Sequence, residues 1–102
     1  MILRVLAEAR LEAVEAAAWY DHRKSGLGDR LLDEIEGVLS RILTDPESLP
    51  IWEPAVGLDE IRRCVLKRFP YVVIFVCRPK EVVVVAISHA RRRPRYWVTR
   101  LD

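Results

Sequence analysis

A chain of 102 residues has room for one core of the usual size, roughly 100 to 200 residues, so a second domain is excluded and residues 1–102 read as one unit. A composition 51% hydrophobic and 31% charged, with a net charge of +2, excludes intrinsic disorder. The charge is segregated, with 6 Lys/Arg against 13 Asp/Glu in residues 1–60 and 11 against 2 in residues 61–102, which fits the C-terminal part to a polyanion or an acidic partner.

In chain order, Ile2 to Leu6 is short, apolar and partly β-branched, which suits a first strand. Ala7, Leu11, Val14 and Ala18 then recur at helical steps opposite Glu8, Glu12 and Glu15, predicting an amphipathic helix that runs to about Arg23 with that stripe inward. Gly26 breaks it. Leu27, Leu31, Ile35, Val38 and Ile42 trace a second helix over 27–44, ended by Asp45-Pro46. So short a connection folds the two into an antiparallel hairpin. Pro46, Pro50 and Pro54 mark Pro46 to Gly57 as an irregular connection in which Trp52 is pinned against something apolar.

Asp59 to Leu66, Tyr71 to Arg78 and Glu81 to His89 follow as an antiparallel meander of strands. The tail, Arg91 to Asp102, has the spacing of a short final helix or strand. The order β-α-α-β-β-β makes a two-layer α+β domain, a helical hairpin packed on a mainly antiparallel sheet. In Val72 to Val76 and Val82 to Ile87 both alternating faces are apolar, and two helices cover only one face. The other must be covered by the tail, a second copy or a partner, and if left open it drives self-association.

Cys64 and Cys77 have no cysteine or histidine within four residues, so neither a zinc site nor a redox dithiol is read. With a turn near Arg68, Cys64 lies opposite a residue near Val72 and Cys77 reaches toward Asp59, too far apart for a disulfide. No metal or cofactor is expected. The N-terminal apolar run is too short for a signal-peptide core, and the longest run, Phe69 to Cys77, is far short of the roughly 20 residues of a membrane span. A soluble cytoplasmic protein is the expectation.

What remains for chemistry is Arg62, Arg63, Lys67, Arg68, His89, Arg91, Arg92, Arg93, Arg95 and Tyr96, which the meander gathers at strand ends into one basic rim suited to a phosphodiester. Metal-free cleavage of RNA at its own 2′-hydroxyl needs a base, cations for the developing charge and an acid for the leaving oxygen. Histidine is the side-chain type suited to proton transfer near neutrality, which makes His89 the candidate, and Tyr96 and Trp97 are candidates for stacking on bases or for filling core. Arg62 and Arg63 are consecutive on a strand, so only one faces any site. His22, near the helix end, reads as a surface residue favoured by the helix dipole, and Glu53 and Glu60 as loop glutamates or a carboxylate base near the site.

Ala9-x-x-Glu12-x-x-x-x-Ala17-x-Trp19-Tyr20, Leu27-Gly28-x-x-Leu31, Ile61-Arg62-Arg63, Phe69-Pro70-Tyr71 and His89-x-x-Arg92-x-Pro94-x-Tyr96-Trp97 occur in an order and spacing that resembles the RelE/ParE toxins of type II toxin-antitoxin systems, also called plasmid-stabilisation toxins. The resemblance implies a toxin neutralised by a small antitoxin whose acidic, amphipathic segment lies on the open sheet face and basic rim, in a heterotetramer or larger complex. RelE-like members cleave mRNA on the ribosome, and their catalytic roles carry over to Arg62 or Arg63, His89 and Tyr96. Lys67, Arg68, Arg91, Arg92, Arg93 and Arg95 are left to bind the target. The ribonuclease pattern is incomplete, since no tyrosine follows His89 directly and no carboxylate falls at a clear motif position. The first expectation is therefore a ribosome-dependent endoribonuclease, the alternative a ParE-like inhibitor of DNA gyrase without catalysis, and a further alternative a nucleic-acid-binding accessory domain.

Overall fold

The structure, a computed structural model, describes residues 1–56 and 59–101, with 53–56 described by backbone alone. Strand β1 (Ile2–Val5) leads into helices α1 (Ala7–Arg23) and α2 (Leu27–Thr44), a 3-10 turn at Pro46–Ser48, and strands β2 (Ile51–Val56), β3 (Asp59–Val65), β4 (Tyr71–Cys77) and β5 (Glu81–His89). A second 3-10 turn at Val98–Arg100 is the short final helix. The strands form one sheet ordered β1-β5-β4-β3-β2, in which β1 runs parallel to β5 and every other pair is antiparallel. The α+β class and the hairpin follow the sequence closely.

The hairpin bend depends on two glycines. Gly26 sits at φ 88°, in the left-handed region that side chains avoid. At Gly28 a Cβ would collide with the Ala17 carbonyl oxygen, and the Gly28 N–H donates at 2.7 Å to the Asp21 carboxylate, so α1 caps the start of α2.

Three expectations change. The connection read as irregular contains β2, an edge strand, where Pro54, lacking an N–H, is tolerated because only one side needs pairing. Trp52 is indeed pinned, its ring 5.9 Å from that of Trp97. Gly57, at the end of that expected connection, lies outside the described residues.

Helix α1 is turned the other way. Ala7, Leu11, Val14 and Ala18 all face solvent, while Ala9, Ala16 and Ala17 are buried and Glu12 points inward with them. Small side chains let the helix axis approach the sheet, which the bulkier stripe would hold off.

The second sheet face is covered by the chain itself. Ile61, Ile74, Val76, Val83, Val85 and Ala86 form a buried cluster with Trp97, and Trp52, Tyr96, Val98 and Leu101 pack on it. Trp97, at 1% exposure, is the plug. Of the three coverings that the sequence leaves open, the tail is the one found, so this face supplies no apolar ground for self-association. The opposite cluster, against the helices, contains Leu31, Ile35, Ile42, Val73, Phe75, Val82, Val84 and Ile87.

A register shift between Ile74 and Phe75 against β5 puts Val85 and Ala86 on the same side and brings Ile87 back to the helix side. His89, two residues on, consequently meets Tyr71 on that side, ring centroids 5.1 Å apart. Cys64 lies opposite Val73 and Cys77 opposite Glu60, and both thiols are free.

Candidate functional site: the basic rim

The rim is built where β5 ends and the tail turns back across the sheet. Alternation along β3 divides the arginine pair. Arg63 faces the tail side, its guanidinium 5.0 Å above the Trp52 ring. Arg62 faces the helix side, donates to the carbonyls of Glu47 and Leu49 and pairs with Glu60, with only 12% of its side chain exposed. That engagement makes Arg62 a strut for the 3-10 turn. Glu60 is spent on the same strut, and the Glu53 side chain lies outside the described residues.

Arg63, His89, Arg92, Arg93 and Arg95 line one shallow cleft of about 110 Å³. Arg95 holds a left-handed φ of 62°, which turns the tail. Arg91 is exposed, and its backbone N–H donates to His89 Nδ1 at 3.0 Å. With the Nδ1 lone pair occupied, neutral His89 carries its proton on Nε2 and presents a donor there.

Tyr96 is held away from that cleft. Its hydroxyl donates to Glu12 at 2.5 Å, and the guanidinium groups of Arg92 and Arg100 lie over its ring, 4.0 and 5.1 Å from the centroid. Burial, and then the bond to Glu12, push the phenol above its ordinary range. Trp97, the other candidate for base stacking, is core.

Glu12 is the residue that sequence reasoning misses, since the helical pattern puts it on the solvent side of α1. One carboxylate oxygen accepts from the Ile87 N–H at 3.0 Å and from Arg100 at 2.9 Å, and the other accepts from Tyr96 and from Arg100 at 3.1 Å. Arg100 also donates to the Val85 carbonyl at 3.0 Å, and the bond to Glu12 raises its affinity for the proton. This two-pronged pair clamps the tail to α1 and β5. The signal that points to Glu12 is its place in the Ala9-x-x-Glu12 motif, beside alanines at helical spacing.

Lys67 and Arg68 are not at the cleft. They form the β3–β4 turn, where both backbone N–H groups donate to the Glu34 carboxylate, and their side chains line a different groove beside α2. His22 is exposed on the last turn of α1. Trp19 and Tyr20 meet edge to face at 4.9 Å and continue through Phe69 and Tyr71 toward His89. Among the described residues no group of three or more His, Cys, Asp or Glu could hold a metal ion, and no helix is long and apolar enough to cross a membrane.

The chain is similar to known proteins in both sequence and shape. The family model described as "ParE toxin of type II toxin-antitoxin system, parDE" matches residues 2–94. No curated protein matches. A solved structure described as "Chromosomal ParDE TA system from P. aeruginosa" superposes with a TM-score of 0.75 at 15% identity, covering 89% of this chain and 97% of that one, which is a likeness of fold. With the family model spanning almost the whole chain, the protein belongs to the ParE toxin family of type II toxin-antitoxin systems.

Proposed function

We propose that this toxin arrests growth by binding DNA gyrase through the rim of Arg63, Arg92, Arg93 and Arg95, without catalysing a reaction, and that a cognate antitoxin neutralises it. This reverses the order in which the sequence ranks the two targets. The observation that carries the reading is the state of the proton-transfer groups. A general base needs a free lone pair, and His89 Nδ1 is taken by the Arg91 amide. A general acid needs a proton it can release, and the Tyr96 hydroxyl is committed to Glu12. What remains at the cleft is a cluster of forked cations, well made for anionic surfaces and poorly made for acid–base chemistry.

A purified gyrase supercoiling assay tests this. Inhibition by the wild-type chain, lost with Arg63→Gln and kept with His89→Ala, is the expected result. RNA cleavage has one observation in its favour, that His89 shares the cleft with Arg63 and Arg92. Primer extension on mRNA from arrested cells decides it: new 5′ ends that vanish with His89→Ala, beside an uninhibited gyrase, overturn the gyrase reading.

A further inference from the structure

A second cationic groove lies on the helix side of the sheet, away from the rim. Arg30 and Arg41 line it from α2, Lys67 and Arg68 from the β3–β4 turn. All four are exposed, and among the described residues no hydrogen bond or ion pair engages any of their side chains. Two carboxylates, Asp33 and Glu34, share the groove, and Glu34 also accepts from the turn's backbone N–H groups. Four cations against two carboxylates leave a surplus of positive charge. The groove holds about 590 Å³.

Its length selects among anions. Arg41 follows Arg30 by eleven positions, and a rise of 1.5 Å per residue puts their backbones about 16 Å apart along the helix. A repeating anion can engage both ends at once. Six of the groove's lining residues are charged, four of them cations, while Val38, Cys64 and Val65 give the lining an apolar share. The four cations suit a repeating anion whose backbone they track. Guanidinium forks, three of the four cations here, match phosphate oxygens two at a time.

We propose that this groove is a phosphodiester-binding site, in which Arg30, Arg41, Lys67 and Arg68 hold the backbone of a nucleic acid. It is independent of whether the rim binds gyrase. Cys64 lines the groove with these cations, its thiol pushed up by burial, while Cys77 lies elsewhere on the sheet, opposite Glu60. The chain thus carries a reporter inside the site and a control outside it.

The experiment uses the full-length chain with a labelled 12-nucleotide single strand and, separately, a duplex of the same sequence. Anisotropy across a salt series reads affinity and the number of phosphates engaged, and mass spectrometry reads alkylation of each cysteine. The expected result is that Arg30→Gln with Arg41→Gln weakens binding tenfold or more and flattens the single-strand salt slope by about 1.4, some 0.7 for each phosphate no longer neutralised. Saturating oligonucleotide slows alkylation of Cys64 several-fold and leaves Cys77 unchanged. Protection by the strand, by the duplex or by both supports the site and names which form it takes. Binding whose salt slope is unchanged in the double variant but altered by Arg93→Gln puts the nucleic acid on the rim and overturns the proposal. So does protection of Cys64 by polyglutamate where neither oligonucleotide protects it, or no protection by any of the three. A failed gyrase assay leaves every one of these readings intact.

Discussion

Helices α1 and α2 are 17 and 18 residues long and meet the same sheet, yet they bury opposite kinds of surface. Helix α2 drives Leu31, Ile35 and Ile42 into the core, the arrangement its sequence pattern predicts. Helix α1 buries Ala9, Ala16 and Ala17 and turns Leu11 and Val14 to solvent, at 56% and 57% exposure. The difference lies in what each helix must reach. Helix α2 fills space, and large aliphatic side chains do that best. Helix α1 has to bring the Glu12 carboxylate within 3.0 Å of a β5 amide, and alanines allow that approach. A hydrophobic stripe thus locates the core only when the helix has no polar errand there.

The sharpest way to break this comparison is Glu12→Ala, which strands Arg100 and Tyr96 below the surface. Loss of one partner of a buried pair costs roughly 3–5 kcal/mol, and both Glu12 and Arg100 have side chains less than 15% exposed. Urea unfolding should show that loss, together with freer tail amides in hydrogen exchange. Leu31→Ala, at a site with 0% exposure, should cost roughly 2–5 kcal/mol by the same measurement. Overpacking the close approach with Ala16→Leu should cost roughly 1–3 kcal/mol. An unaffected midpoint would mean the helix does not depend on small residues there. The smallest effect belongs to Leu11→Ala, within about 0.5 kcal/mol as at other surface sites. A cost of several kcal/mol would restore the inward stripe and overturn the orientation of α1.

The elements of the fold are legible where one physical rule acts alone. Runs rich in Val, Ile and aromatics between turn residues delimit β3, β4 and β5, and a period of 3.6 delimits α2, to within a residue or so, and Gly26 fixes the bend. Strand β2 is hidden because Pro50 and Pro54 signal a loop, and an edge strand with two register shifts gives little pattern to set against them. Which element covers the second sheet face is not decidable from pattern, since a plug such as Trp97 contributes through its position in space. At the rim, strand alternation foretells that Arg62 and Arg63 part, but choosing Arg63 requires the carbonyls of Glu47 and Leu49, which come from a turn 13 to 15 residues upstream. Glu12 escapes because a carboxylate on a helix is ordinarily a solvated one. Its partners lie 75 to 88 residues away, beyond any local pattern.

The parallel pairing of β1 with β5 couples the first residues of the chain to some of the last, Ile2 opposite Glu81 and Val5 opposite Val84. A ribosome releases the chain N-terminus first, at roughly 5–20 residues per second, so β1 leaves the tunnel seconds before its partner strand exists. The helical hairpin, made of local contacts, can form in that interval. The sheet cannot close until β5 has been made, and Arg100 cannot reach Glu12 until it too has left the tunnel. Chains truncated or stalled before Arg100 therefore lack both the finished rim and the clamp behind it.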